Sequence, residues 1–267
     1  MDDCLLAHCW TRRNGRTVSV DGSGSVKTEA ELLRLPPTWI PKAPTLDNYR
    51  RLFDQLNFPR YFANTTLIAS VITLSNLLCD AMGGYALAKL RFSGRRVLFL
   101  FILGTMMIPG SVTLIPAFIL ISKLHLVNSF AGVILPSIVS SFGIFLMRQY
   151  MLGIPDELLD AGRIDGASEW YLFWRIALPL SRPALATLAI LTFLASWNEF
   201  LWPLIVLNDS DKYTLQLALA TFAIGEHSSD YGMLMAGSVV IILPILVVFT
   251  AMQRHFTRGI ALTGLKG

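Results

Sequence analysis

Five apolar runs constrain this chain more than any other feature: residues 61–88, 97–121, 130–151, 184–207 and 233–253. A helix needs roughly 20 mostly apolar residues to cross the hydrocarbon core. Inside lipid every backbone N–H and C=O must be paired within the protein, so runs of this length are read as helices. The expected fold is therefore an all-α, polytopic transmembrane helix bundle with five visible spans. Composition agrees, because 54% of residues are hydrophobic and 15% charged, against about 25% charged in soluble domains. Pro109, Pro116, Pro136, Pro203 and Pro244 lie inside the runs and predict kinks, tolerable where neighbouring helices satisfy the freed carbonyls.

Loop charges set the orientation. The loop after the first run carries Lys89, Arg91, Arg95 and Arg96 and no acid, and the tail carries Arg254, Arg258 and Lys266, again with none. These faces are assigned to the cytoplasm. Asp209, Asp211, Glu226 and Asp230 outnumber Lys212 in the intervening loop 208–232, which is assigned to the outside. The pI near 9.1 thus reflects membrane anchoring rather than nucleic-acid binding.

Alternation places the longest polar loop, residues 155–183, on the cytoplasmic side. It reads as helix, break, helix. Pro155 suits a first helical position, and Asp156 and Glu157 complement the positive end of the helix dipole. Leu158, Ala161, Gly162 and Asp165 share one face built mostly of small residues, which admits a close neighbour. Gly166 supplies a position tolerant of positive φ that turns the chain. Ser168 is the expected cap of a second helix carrying Trp170, Phe173, Trp174 and Ala177, closed by Leu178-Pro179.

Asp160-Ala161-Gly162, followed by Gly166, Ile176 and Leu178-Pro179, resembles the EAA loop of ABC-importer transmembrane subunits. Residues 161–167 (AGRIDGA), Trp197-Asn198-Glu199-Phe200-Leu201 and the ending 259–267 are similar to the carbohydrate-uptake branch, of the maltose/trehalose second-permease type. Two positions depart from the motif: its Glu is Asp160, and its second Ala is Gly162, which costs about 1 kcal/mol of helix propensity.

The resemblance implies a type I ABC-importer permease in a bacterial inner membrane, importing a sugar or related polyol by alternating access. It also implies a second permease subunit in a heterodimer, two ATP-binding subunits that hydrolyse ATP, an extracytoplasmic solute-binding protein and surrounding membrane lipid, without nucleic acid. Asp160, Ala161, Gly162, Asp165, Gly166, Ile176, Leu178 and Pro179 become the residues expected to couple to the ATPase. Residues 1–60 form an N-terminal segment, external-loop-like from about 25; residues 61–253 form the ABC transmembrane type-1 domain with its coupling loop at 155–183; and 254–267 form the tail. The family's first span is not found ahead of residue 25, which leads to the expectation of a reading frame shortened or disrupted upstream.

Other polar residues keep two readings each. Asp80, inside the first run, either lines the solute path or makes an interhelical hydrogen bond; the structural role is preferred. Trp197, Asn198 and Glu199 could line a sugar path, with amide and carboxylate meeting hydroxyls and the indole covering the sugar's apolar side, or could serve helix packing. Trp170, Phe173 and Trp174 read as a docking surface or support for the coupling helix, with an interfacial helix on the bilayer as the alternative. Gly83 and Gly84 read as close-packing residues. The segment 21–25 reads as a flexible joint. Cys4, His8 and Cys9 lack metal-site spacing, and no nucleophile elbow, dinucleotide loop or P-loop lysine motif is present. No catalytic residue, metal or cofactor is therefore assigned. An ATP-independent transporter or channel is the rival class, and transport without an ATPase would discriminate it.

Overall fold

The computed structural model describes residues 22–34, 38, 40–224 and 230–261, which are helices and connecting turns with no strand among them. The readings of Cys4, His8, Cys9 and the ending beyond residue 261 lie outside the described residues. The chain divides into two compact units, one holding residues up to Asn64 together with Tyr213–Val247, the other holding Thr65–Lys212 and the chain from Val248.

In the first unit the described part of the expected flexible joint is packed rather than free. Residues 22–25 are helical, and a Cβ on Gly24 would collide with Met235. Asn48, 1% exposed, donates through Nδ2 to the carbonyls of Ser25 and Lys27, both at 2.8 Å. Tyr49 donates to the Ser25 hydroxyl at 2.9 Å. Glycine and serine composition suggested freedom, but long-range hydrogen bonds that no local pattern reveals remove it. Arg51 joins Asn48 Oδ1 at 2.8 Å to Asp230 at 2.6 Å, so the start of the last helix, Tyr231–Ala261, is tied to the same cluster. Loop 208–232 also contains an apolar helix, Leu215–Ile224, which charge counting passed over.

In the second unit the expected spans are helical but mostly broken. The 32-residue helix Phe58–Lys89 is continuous. The run 97–121 is instead two helices, Arg95–Met106 and Gly110–Lys123, bent by 102°. Pro109 caps the second of them in an extended conformation, φ −59° and ψ 134°, and a proline also disfavours helical geometry at the residue before it. Pro116, by contrast, sits within a continuous helix. The third run comprises Phe130–Ile134, a tight 3-10 turn at Leu135–Ser137 holding Pro136, and Ser141–Leu152. The fourth is Arg182–Trp197, a break, and Leu201–Val206; Pro203 follows this break rather than causing it. Pro244 lies inside Tyr231–Ala261, in the part of that helix that belongs to the first unit.

The core of this unit gathers Tyr85, Ala88, Met147, Met151, Leu159, Leu172, Phe173 and Leu188. It therefore joins the ends of three apolar helices to the polar loop. Gly84 permits the approach: a Cβ there would lie 2.6 Å from Met147 Cβ and 2.8 Å from the Arg148 backbone nitrogen. Gly83 faces Ile144 in the same way at 3.2 Å, so both glycines pack closely, as expected.

Candidate functional site

The loop 155–183 forms helix Asp156–Ile164, a turn, and a second helical stretch from Glu169. Pro155 is the N-cap rather than the first helical residue. Gly166 adopts φ +79°. The Ala167 N–H reaches the Gly162 carbonyl at 2.9 Å and the Gly166 N–H the Arg163 carbonyl at 3.0 Å, the pair of bonds that defines a Schellman ending. Ser168 caps the second helix by accepting from the Tyr171 N–H at 3.3 Å. That helix does not close at Leu178-Pro179. It widens to a π-helix over Phe173–Ala177 and continues through Leu178–Leu180, because Pro179 has no N–H for the carbonyl four residues back and its ring crowds that carbonyl.

The face Leu158, Ala161, Gly162 and Asp165 divides. Gly162 turns inward, where a Cβ would come within 2.5 Å of Leu172 Cδ2, while Ala161 and Asp165 are exposed. Leu159 is fully buried beneath. Ile176 and Leu178 pack against the core half-buried. The aromatic set divides similarly. Phe173 is 2% exposed and lies 5.4 Å from the Tyr85 ring, whereas Trp170 and Trp174 are 58% and 48% exposed and Ile164 87%.

Polar contacts hold the loop to the first long helix, and sequence reasoning missed them. Lys89 Nζ donates to the Ile154 carbonyl at 2.6 Å and to Asp156 Oδ1 at 2.5 Å, its side chain only 4% exposed. Arg163 donates to Asp160 at 2.7 Å and to both Glu169 oxygens at 2.8 and 3.3 Å, and Tyr85 donates to Glu169 at 2.7 Å. The hydrogen bond and charge of Lys89 hold the Asp156 carboxyl below its usual range. Glu169 and then Asp160 raise the Arg163 guanidinium further. Pairs whose carboxylates face solvent stabilise little, so their effect is on geometry: they fix both short helices to one helix end. The available signal was Lys89 at the end of an apolar run, which positive-inside counting absorbed.

Two further residues of the first long helix hold a broken span. Asn76, 2% exposed, donates to the Ser137 carbonyl at 2.6 Å. Asp80, fully buried, accepts from the Ser140 N–H at 3.0 Å through Oδ1. One residue thus supplies a donor where the first half of the third span ends, and the other, one turn on, an acceptor where Ser141–Leu152 begins. Spacing of four is what places both on one helix face. The Thr105 hydroxyl, on the helix Arg95–Met106, lies 2.8 Å from that of Ser141. Trp197 is 1% exposed and stacks on Phe193 at 5.5 Å. Asn198 donates to the Leu194 carbonyl at 2.8 Å, and Glu199 accepts from the Trp202 N–H at 3.2 Å. The contacts of Asp80 are thus with the third span, while these bonds of Asn198 and Glu199 stay within the fourth.

Fold and site together define a polytopic helical membrane protein in which a two-helix loop is braced against the ends of its spans. Residues 81–262 match the family described as binding-protein-dependent transport system inner membrane component. The chain belongs to that family, the permeases of ABC importers, which are membrane transport components rather than enzymes. It is 44% identical over 246 residues to the arabinooligosaccharides transport system permease protein AraQ of Halalkalibacterium halodurans, covering 91% of this chain and 88% of that one. It is 36% identical to the lactose transport system permease protein LacG of Rhizobium radiobacter, over 88% and 85% of the two chains. A bacterial ABC transporter involved in the import of the acidic polysaccharide alginate superposes with a TM-score of 0.85 and 25% identity over 95% of each chain.

Proposed function

We propose that this permease imports a sugar, an oligosaccharide in particular, as one half of a heterodimeric pore served by two ATPase subunits and an extracytoplasmic binding protein. Support for the substrate class comes from relatives that carry arabinooligosaccharides and lactose. The loop 155–183 is the ATPase-docking element. Asp160, Ala161, Asp165 and the exposed Leu158, Ile164, Trp170 and Trp174 form its outward face, and Gly162, Gly166, Ile176, Leu178 and Pro179 set its shape. The observation that carries this reading is the division of one loop into an outward face with exposed Leu158, Ile164, Trp170 and Trp174 and an underside in which Leu159, Leu172 and Phe173 are buried. A surface of that kind transmits displacement, because close-packed interiors do not deform continuously.

Closure of the ATPases moves the braced loop and the helix ends together, and the broken spans reorient around a central site. Asp80 serves this path indirectly by holding the third span's break, while Trp197, Asn198 and Glu199 stand at the break of the fourth. The test is reconstitution of the complete transporter with a labelled arabinooligosaccharide. Accumulation requires ATP and both ATPase subunits; uptake that persists without them refutes the proposal.

A further inference from the structure

The loop between the first and second spans contains a hollow of about 450 Å³ lined by Arg91, Phe92, Gly94, Arg95, Arg96 and Val97. Three of its six residues are arginines and none is acidic. Arg95 is braced, donating from Nη1 to the Leu90 carbonyl at 3.0 Å, while Arg91 and Arg96 are exposed and form no ion pair within 4 Å among the described residues. Asp156, whose carboxyl Arg91 helps to hold below its usual range, is already bonded to Lys89. Gly94 turns the chain at φ +84° with open space around it, so the two exposed guanidiniums flank an accessible depression.

Directly beyond the hollow the helix Arg95–Met106 carries an exposed apolar face. Val97 and Phe101, four residues apart and so on one face, are 71% and 70% exposed, with Leu98 and Leu100 at 46% and 55%. An open basic depression therefore adjoins an apolar strip. We propose that this hollow binds the headgroup of an anionic glycerophospholipid of the cytoplasmic leaflet, with Arg91 and Arg96 on the phosphate and an acyl chain along Val97 and Phe101. Charge complementarity selects the headgroup, since guanidinium forks match phosphate oxygens in pairs and basic residues beside a span attract anionic lipid. The adjoining apolar strip favours lipid over free phosphate. The inference rests on the cytoplasmic orientation of this loop.

The complete transporter, purified with its partner subunits, is titrated with phosphatidylglycerol or phosphatidylcholine and retained lipid is counted by native mass spectrometry. Phosphatidylglycerol is expected to be retained selectively, and Arg91→Gln with Arg96→Gln to weaken it by about fivefold per charge removed. Arg91→Lys with Arg96→Lys keeps the positive charge that sets topology but loses the planar fork, and should fall between the two. Equal retention of both lipids, no response to the glutamine pair, or displacement by inorganic phosphate overturns the proposal while leaving the permease reading intact. Labelling of Ser93→Cys by an impermeant thiol reagent from outside intact cells overturns the orientation and the lipid site together.

Discussion

Substitutions at Asp80 separate a structural carboxyl from one that handles solute. Its Oδ1 accepts from the Ser140 N–H at 3.0 Å, while its Oδ2 is buried with no hydrogen-bond partner among the described residues. Asp80→Asn keeps the accepting oxygen and exchanges an unpaired acceptor for an unpaired donor, so assembly should change by less than about 1 kcal/mol. Asp80→Ala loses the bond, worth about 0.6–1.7 kcal/mol between helices in a membrane. It also opens a void worth about 1 kcal/mol, for a total of roughly 1.5–3 kcal/mol. Gly143 offers an independent check, because a Cβ there would strike the Asp80 carboxylate, with Cγ at 2.7 Å. Gly143→Ala alone should therefore destabilise by about 1–3 kcal/mol through overpacking, yet recover part of the loss when combined with Asp80→Ala, a non-additivity expected of neighbours. The assays are the thermal midpoint of the purified complex and uptake per assembled complex. Asp80→Asn that assembles normally but shifts the substrate concentration dependence by more than about tenfold, or 1.4 kcal/mol, refutes the structural role.

Gly166→Val should lower binding-protein-stimulated ATPase activity without affecting insertion: nothing crowds a Cβ there, but φ +79° costs a β-branched residue more than the usual 1–2 kcal/mol or so of left-handed strain, and Gly166→Asn should be milder because Asn tolerates that region. Lys89→Met leaves the buried Ile154 carbonyl without its donor, costing about 1–3 kcal/mol, and should reduce uptake more than ATP hydrolysis, which measuring both in one preparation will decide. Because Lys89 depresses the Asp156 carboxyl, that contact contributes above the ordinary aspartate value of about 3.9 and is lost only as pH falls through the lower folded value; uptake in Lys89→Met relative to the parent should therefore be flat above about pH 5, and a gap that closes between neutrality and that point would contradict the assignment. Gly84→Ala should reduce the amount of assembled complex by a loss of about 1–3 kcal/mol, as the added methyl meets the Arg148 backbone nitrogen at 2.8 Å.

Local pattern alone was enough to fix the helical class, the membrane setting and the two-helix build of the loop 155–183, because each is written in local terms. Apolar length fixes a span, and Gly166 and Ser168 terminate and start short helices through bonds to residues a few positions away. It did not determine which face of the loop is buried. Leu159 and Phe173 lie inside and Leu158 and Trp174 outside because the first long helix and Ser141–Leu152 supply the surface they meet. Prolines marked where spans weaken, but Pro109 caps the start of a helix while Pro116 sits within one, and Pro136 lies beside a break that Asn76 and Asp80 hold from another helix. Lys89 counted in sequence as one more cytoplasmic charge. Only its position against Ile154 and Asp156 makes it the tie between span and loop, since a hydrogen bond across 65 residues has no periodicity for a sequence to display.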